Sequence, residues 1–177
     1  MVDFWSLGFE FLAVFGGVFA AFLLDKLREA QSENREIVRI LRLLKKEILA
    51  NVKILNDLAE NFQSQPGYFI PAYRPKAVIW SAVTNKIDLV QDDQLLSDIT
   101  QLHLNYDMFD RTLAMYLELT TAAIVQKDRS LETYVKNRRD AMLMQIQDDT
   151  QEKSLLKLSK EIVTKLDAEI RRRDCVP

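Results

Sequence analysis

The chain has 177 residues, with 24 basic and 26 acidic side chains and a formal net charge of −2, a balance that argues against a nucleic-acid partner. Only four glycines and four prolines are present, which argues against a β fold rich in tight turns. The single cysteine, Cys175, cannot form an internal disulfide, and no cluster of Cys and His could hold zinc.

The first element is an apolar segment, residues 4–24, FWSLGFEFLAVFGGVFAAFLL, whose one strongly polar member is Glu10. A helix of this length reaches about 31 Å, which matches the hydrocarbon core of a bilayer. A signal peptide would carry basic residues before its apolar core, and none precedes Phe4. Residues 1–24 are therefore predicted to form a transmembrane helix, with Trp5 at the interface.

Basic residues near this segment all lie on one side of it, after the apolar run: Lys26, Arg28, Arg35, Arg39, Arg42, Lys45 and Lys46. The positive-inside rule then predicts a single-pass protein of the inner (cytoplasmic) membrane. Its N-terminus would lie outside and the bulk of the chain in the cytoplasm.

Small residues share one face of the predicted span with its glutamate, and small residues let helix backbones approach closely in lipid. An ionisable group at membrane depth usually faces a bundle interior or water. This face is a candidate contact with another transmembrane helix: Glu10, Ala13, Gly16, Gly17, Ala20 and Ala21. The alternative is that Glu10 lies close enough to the outer headgroups to reach them.

The second segment, residues 25–63, contains neither Pro nor Gly, so the membrane helix is predicted to continue into a long juxtamembrane helix. Apolar residues recur in it at alternating steps of four and three, typical of a coiled-coil seam. We call these residues the apolar seam: Ile37, Leu41, Leu44, Ile48, Val52 and Leu55, continuing to Phe62. The seam is predicted to pack against this chain's own later helices, with self-association along its membrane-proximal part.

Residues 64–75 hold three of the four prolines and are predicted to be a loop whose aromatic residues, Tyr73 among them, pack onto the bundle. Residues 76–173 complete the predicted bundle. A short helix starts at Pro75, carries Trp80 as a core anchor and ends at Asn85. The next helix is capped by Asp92 or Asp93 and is followed by the connection 127–130, a helix over 130–147 and a final helix over 151–173.

These elements predict an all-α protein: one N-terminal transmembrane helix that continues into a long helix, which packs in an antiparallel cytoplasmic helical bundle. Residues 174–177 form a tail. About 150 residues outside the predicted span are enough to bury a core of their own.

Residue patterns for catalysis are missing from the sequence. The lone histidine, His103, lies mid-helix and is interpreted as structural or surface-exposed, because a catalytic base needs a nucleophile or water within reach. Nucleophile-elbow, P-loop and dinucleotide-binding motifs are absent. No glutamate stands three residues before His103, so a di-iron site is rejected. We expect no cofactor, no metal and no small-molecule substrate, and we interpret Arg171–Arg173 as a solubilising cluster.

Two stretches carry a resemblance to a known group. The charged helix LREAQSENREIVRILRLLKKEI directly after the span, and the segment AVIWSAVTNKIDLVQDDQLLSDITQLHLNYDMF, resemble uncharacterised bacterial single-span membrane proteins with a cytoplasmic helical domain. The resemblance implies single-span topology and implies no activity.

The patterns together predict a non-enzymatic, membrane-anchored protein that acts by helix–helix association, as a homo-oligomer or as an accessory subunit of a membrane complex. Its partners would be the lipid bilayer and either further copies of itself or other membrane subunits. A second hypothesis is a homo-oligomeric ion or proton channel with a ring of Glu10 carboxylates. An enzyme of unknown type is the third.

Overall fold

The computed structural model describes residues 4–64, 71, 73–84, 86, 90, 92–127, 129–147 and 154–175, and it describes side chains from residue 19 onward. The described residues form five helices and no strand, so the all-α prediction is confirmed. The helices are α1 (Phe4–Ser64), α2 (Val78–Val83), α3 (Asp93–Gln126), α4 (Arg129–Gln147) and α5 (Leu155–Asp174).

Helix α1 dominates the molecule, with 61 residues and a length of about 90 Å. The predicted membrane segment and the predicted juxtamembrane helix are therefore parts of one helix. Among the residues that the structure describes, no helix is both long enough and apolar enough to cross a membrane. The side chains of residues 4–18, which make up most of the predicted span, lie outside the described part of the chain.

The helices of the bundle pack side by side in three positions, and α1 and α3 each occupy one of them. Helix α5 is antiparallel to α1, because Asn34 Nδ2 donates to the carbonyl of Arg173 over 3.1 Å while Lys45 lies beside Asp167. The short connection after α3 folds α4 back beside it. Helices α4 and α5 together occupy the third position, with the end of α4 near the end of α1, where Gln63 donates to Gln147.

One helix pair departs from the antiparallel arrangement that the sequence predicts. Helix α3 runs parallel to α1: His103 lies near Glu47 at one level of the bundle, and Tyr116 contacts Phe62 edge-on at 5.6 Å further along. The reason is the long connection between residues 64 and 93, which returns the chain to the start of the bundle before α3 begins.

The connection between α1 and α3 corrects two expectations, on Pro75 and on Tyr73. Helix α2 begins at Val78, with Ala77 as its N-cap, so Pro75 precedes the helix. Trp80 is partly buried and packs against the core, as predicted. Tyr73 is 73% exposed and does not pack onto the bundle. The predicted helix end at Asn85 lies outside the described residues.

The termini of the later helices are defined by their capping contacts. Asp92 is the N-cap of α3, and its carboxylate accepts a hydrogen bond from the backbone N–H of Leu95 over 2.9 Å. Helix α5 begins at Leu155, four residues later than predicted, and residues 151–153 lie outside the described part.

Lys127 ends α3 in the left-handed region, with φ of 50°, and its N–H donates to the carbonyl of Ala123. A β-carbon is unfavourable in this conformation, so we expect Lys127→Gly to raise the free energy of unfolding by about 0.5–1 kcal/mol. Chemical denaturation of the full chain in mild detergent would measure the change. Lys127→Ala, which keeps the β-carbon, is the matched control and should give no gain. Equal gains from both substitutions would contradict the explanation.

Candidate association site

The predicted transmembrane contact residues fall mostly outside what the structure describes. The backbone of Glu10, Ala13, Gly16 and Gly17 lies in α1, but their side chains are among those of residues 4–18. Within the described part of this face, Ala20 and Ala21 are exposed. The helix contact and the alternative ion pathway through Glu10 therefore stay predictions.

A projecting segment of α1 precedes the bundle. Every side chain from residue 19 to residue 33 is exposed, and burial begins only at residues 34–37. Five large apolar side chains lie in this projecting segment and are between 46% and 63% exposed: Phe19, Phe22, Leu23, Leu24 and Leu27. The described part of the chain does not cover these five side chains, so they form an exposed apolar surface among the described residues.

The apolar seam, by contrast, is filled by the chain's own helices. Five of its six named members, Ile37, Leu41, Leu44, Ile48 and Leu55, are buried, and Val52 is partly buried. The covering helices include α5, which an ion pair of 2.5 Å between Lys45 and Asp167 also holds to α1. Self-association along the seam would first require these helices to separate, so the seam is a core element rather than a free interface.

Two buried polar residues of α1 hold the connection to α3 in place. Glu47 is 7% exposed, and its carboxylate accepts hydrogen bonds from the backbone N–H groups of Ile79 at 2.5 Å and Trp80 at 3.3 Å. These N–H groups belong to the first turn of α2, where the N-cap residue supplies no side-chain hydrogen bond. Glu47 therefore caps α2 from a neighbouring helix, and its negative charge suits the positive end of the helix dipole.

Asn51 lies one turn further along α1 and is also buried. Its side-chain oxygen accepts from the N–H of Lys76 at 2.9 Å, and its side-chain nitrogen donates to the carbonyl of Lys76 at 2.7 Å. One amide side chain thus satisfies both polar groups of a backbone position that belongs to no helix.

His103 completes this buried polar cluster from α3. Its ring stacks on Trp80 with centroids 4.7 Å apart and an interplanar angle of 9°, and its edge contacts Tyr106. Burial lowers the pKa of His103 to about 4. The imidazole is therefore neutral near pH 7, and the 3.9 Å approach of its Nε2 to Glu47 is not an ion pair.

Tyr106 links the cluster to α5. Its hydroxyl lies 2.8 Å from the Ser159 hydroxyl, and Ser159 in turn donates to the carbonyl of Leu155, so Tyr106 is the donor in the pair. Burial raises the pKa of Tyr106 to about 12, and the phenol stays protonated. Hydrogen bonds and ring contacts therefore join α1, α2, α3 and α5 through one buried region.

The contacts of this cluster are contacts between side chains and backbone of neighbouring helices. His103 is 3% exposed, its ring packs against Trp80 and Tyr106, and neither ring nitrogen has a hydrogen-bond partner among the described residues. Within the described ranges, no group of three or more His, Cys, Asp or Glu side chains converges as a metal site would require.

The cluster Arg171–Arg173 is less free than its sequence implies. Arg172 donates to the buried carboxylate of Glu169 through two hydrogen bonds of 2.7 Å, and Arg173 donates to the same carboxylate at 2.6 Å. Burial opposes ionisation of Glu169, but these hydrogen bonds outweigh it and hold the pKa of Glu169 below its usual value. Two of the three arginines therefore fix the end of α5.

Sequence reasoning missed Glu47 and Asn51 as contacts. They are four residues apart and lie beside seam residues, so both had to sit at the edge of the buried stripe. Their place at the edge of the buried stripe is the only sign in the sequence that Glu47 and Asn51 make buried contacts. It does not reveal which backbone groups they contact.

Comparisons with protein-family models, with curated proteins and with solved structures found no match for this chain. The resemblance to single-span bacterial proteins therefore stays a prediction from the two stretches that carry it.

We expect acid to destabilise the bundle through His103. The unfolded chain protonates this residue below pH 6.5, whereas the folded pKa is about 4, so the stability present above pH 6.5 is lost between these values. His103→Phe removes this titration. The free energy of unfolding of the variant minus that of the wild type should therefore increase by roughly 2 kcal/mol when the pH falls from 7 to 4.5. Urea unfolding at both pH values measures this.

The carboxylates of the wild type and of His103→Phe titrate alike, so their contributions cancel when the two free energies of unfolding are subtracted. His103→Gln, which also cannot titrate, separates the pH term from any change in packing. A wild-type minus variant difference that is constant with pH would contradict a buried, neutral His103.

Proposed function

We propose that this chain is a non-enzymatic, membrane-anchored helical protein that acts by helix–helix association, as a homo-oligomer or as an accessory subunit of a membrane complex. One observation carries the proposal: α1 extends beyond the bundle as a helix whose apolar side chains, from Phe19 to Leu27, are left exposed.

These side chains favour a lipid environment over water. Burying the remaining surface of five large apolar residues would stabilise the protein by on the order of 5 kcal/mol. Residues 19–24, FAAFLL, are apolar on every side of the helix, which is typical of a membrane segment rather than of a single docking stripe. Together with the apolar run from residue 4, they support a span over residues 4–24 with the bundle on the cytoplasmic side.

Because α1 is continuous, the proposed membrane segment is joined directly to the helix that forms the apolar seam. Neither Gly nor Pro occurs between residues 18 and 64, so no hinge residue separates the proposed span from the seam. The seam residues are in turn locked into the bundle. A rotation or displacement of the membrane segment would therefore move the whole bundle with it.

Association is assigned to the membrane segment because the seam is already occupied. The small residues around Ala13, Gly17 and Ala21 would permit close helix approach, and Glu10 would pair or hydrogen-bond within the contact. Bulky residues lie opposite: Phe22 is nine residues, or about two and a half turns, beyond Ala13. The two faces therefore differ in how closely a second helix can approach.

Cysteine cross-linking tests the proposal. Cys175→Ser provides a background without cysteine, and single cysteines are then placed at Ala13, Gly17 or Ala21. We expect oxidation in native membranes to yield a dimer of the 20.6 kDa chain, or a heavier product if the partner is another subunit carrying a cysteine. A bifunctional reagent that joins a thiol to an amine would cross-link the introduced cysteine to a partner subunit that has no cysteine.

Single cysteines at Phe19 and Phe22 are the matched controls, because they lie on the opposite face at the same depth range. Their yield should be several-fold lower. Equal yields from both faces, absence of any product, or release of the chain from membranes by alkaline washing would contradict the proposal.

A further inference from the structure

A groove lies beside the projecting segment, where α1 meets the end of α5. It has a volume of about 780 Å³, and residues of both helices line it. Four cationic side chains of α1 lie along it at steps of four, three and four residues, and so share one side of the helix: Arg35, Arg39, Arg42 and Lys46. We call this the basic groove.

Most of the positive charge in the basic groove is uncompensated. Asp174 is the one acidic residue that lines it, and it is bound to Arg42 at 2.7 Å. The side chains of Arg35, Arg39 and Lys46 make no hydrogen bond or ion pair with another described residue, and Arg39 lies near enough to Glu36 to help lower the pKa of that carboxyl. Neighbouring like charges on one helix face repel each other, and an anion between them would relieve that repulsion.

The groove also has an apolar side. Leu27, Val38 and Leu43 line it together with the cations, and Leu27 belongs to the projecting segment. A row of cations beside apolar surface matches an amphiphile with a phosphate head and hydrocarbon chains, and arginine binds phosphate through paired N–H groups.

We propose that the basic groove binds the headgroup phosphate of an anionic phospholipid. This rests on the proposed function, because the groove begins three residues beyond the proposed span. Clusters of four to eight basic residues next to a membrane helix are the usual mark of such binding. Arg35 lies about 16 Å along the axis from Leu24, and helix side chains lean toward the N-terminus, here toward the bilayer. Helix tilt brings Arg35 and Arg39 closer to the headgroups.

The test uses the full chain in lipid vesicles. Cys175 is exposed and directly follows Asp174 in the groove, so a fluorescent donor attached to it reports the distance to acceptor-labelled lipid headgroups. We expect energy transfer to rise when about 30% phosphatidylglycerol replaces phosphatidylcholine. High salt should reverse the rise, because ions screen these attractions.

The variant Arg35→Gln/Arg39→Gln/Lys46→Gln should lose most of this rise at the same phosphatidylglycerol content, because its neutral side chains no longer attract the anionic headgroups. The matched control is Lys127→Gln/Arg129→Gln/Lys136→Gln, which removes the same charge from exposed positions at the other end of the bundle. It should behave like wild type.

The outcomes separate this inference from the proposed function. A chain that does not float with any vesicles overturns both. A chain that floats equally well with both lipids, without a rise in transfer, overturns only the groove. If inorganic phosphate changed the energy transfer in vesicles of phosphatidylcholine alone, the groove would be a site for free phosphate. If both triple variants lost the rise in energy transfer equally, the attraction would be non-specific. Either result overturns the lipid assignment.

Discussion

One uninterrupted helix, α1, contains both an exposed part and a buried part, and the rest of the described structure packs around its buried part. The later part of α1 supplies the apolar seam, whose residues are buried in the bundle core, and α5 is the helix that α1 contacts most extensively. Its earlier part, from residue 19 to residue 33, is exposed. No Gly or Pro separates the two parts, so α1 contains no residue of the kinds that usually kink a helix between them.

Buried polar contacts determine how the remaining helices pack around α1. Apolar packing alone would tolerate several arrangements of similar helices, whereas Glu47 and Asn51 each meet defined backbone groups of the connection to α3. Those hydrogen bonds fix α2 beside α1, and Trp80 then covers His103. The parallel arrangement of α1 and α3 follows from this connection.

Much of the fold could be predicted from the sequence because it depends on periodicity. The seam from Ile37 to Leu55 and the absence of helix breakers indicate α1, and Asp92 is a typical N-cap. Pairing of distant groups could not be predicted: nothing in the sequence places Glu47 under α2 or joins Arg42 to Asp174. The basic groove was missed for the same reason, since its second wall comes from α5. The membrane segment remains a prediction, because its contact residues lie mostly outside the described side chains.

The most direct test of the central claim is the mass of the particle extracted from native membranes in nanodiscs, with every co-purifying chain identified. Our account predicts a membrane-derived particle that is either a fixed multiple of 20.6 kDa or a complex with larger subunits. A single copy of the chain, or recovery without membranes, would contradict helix–helix association through a membrane anchor.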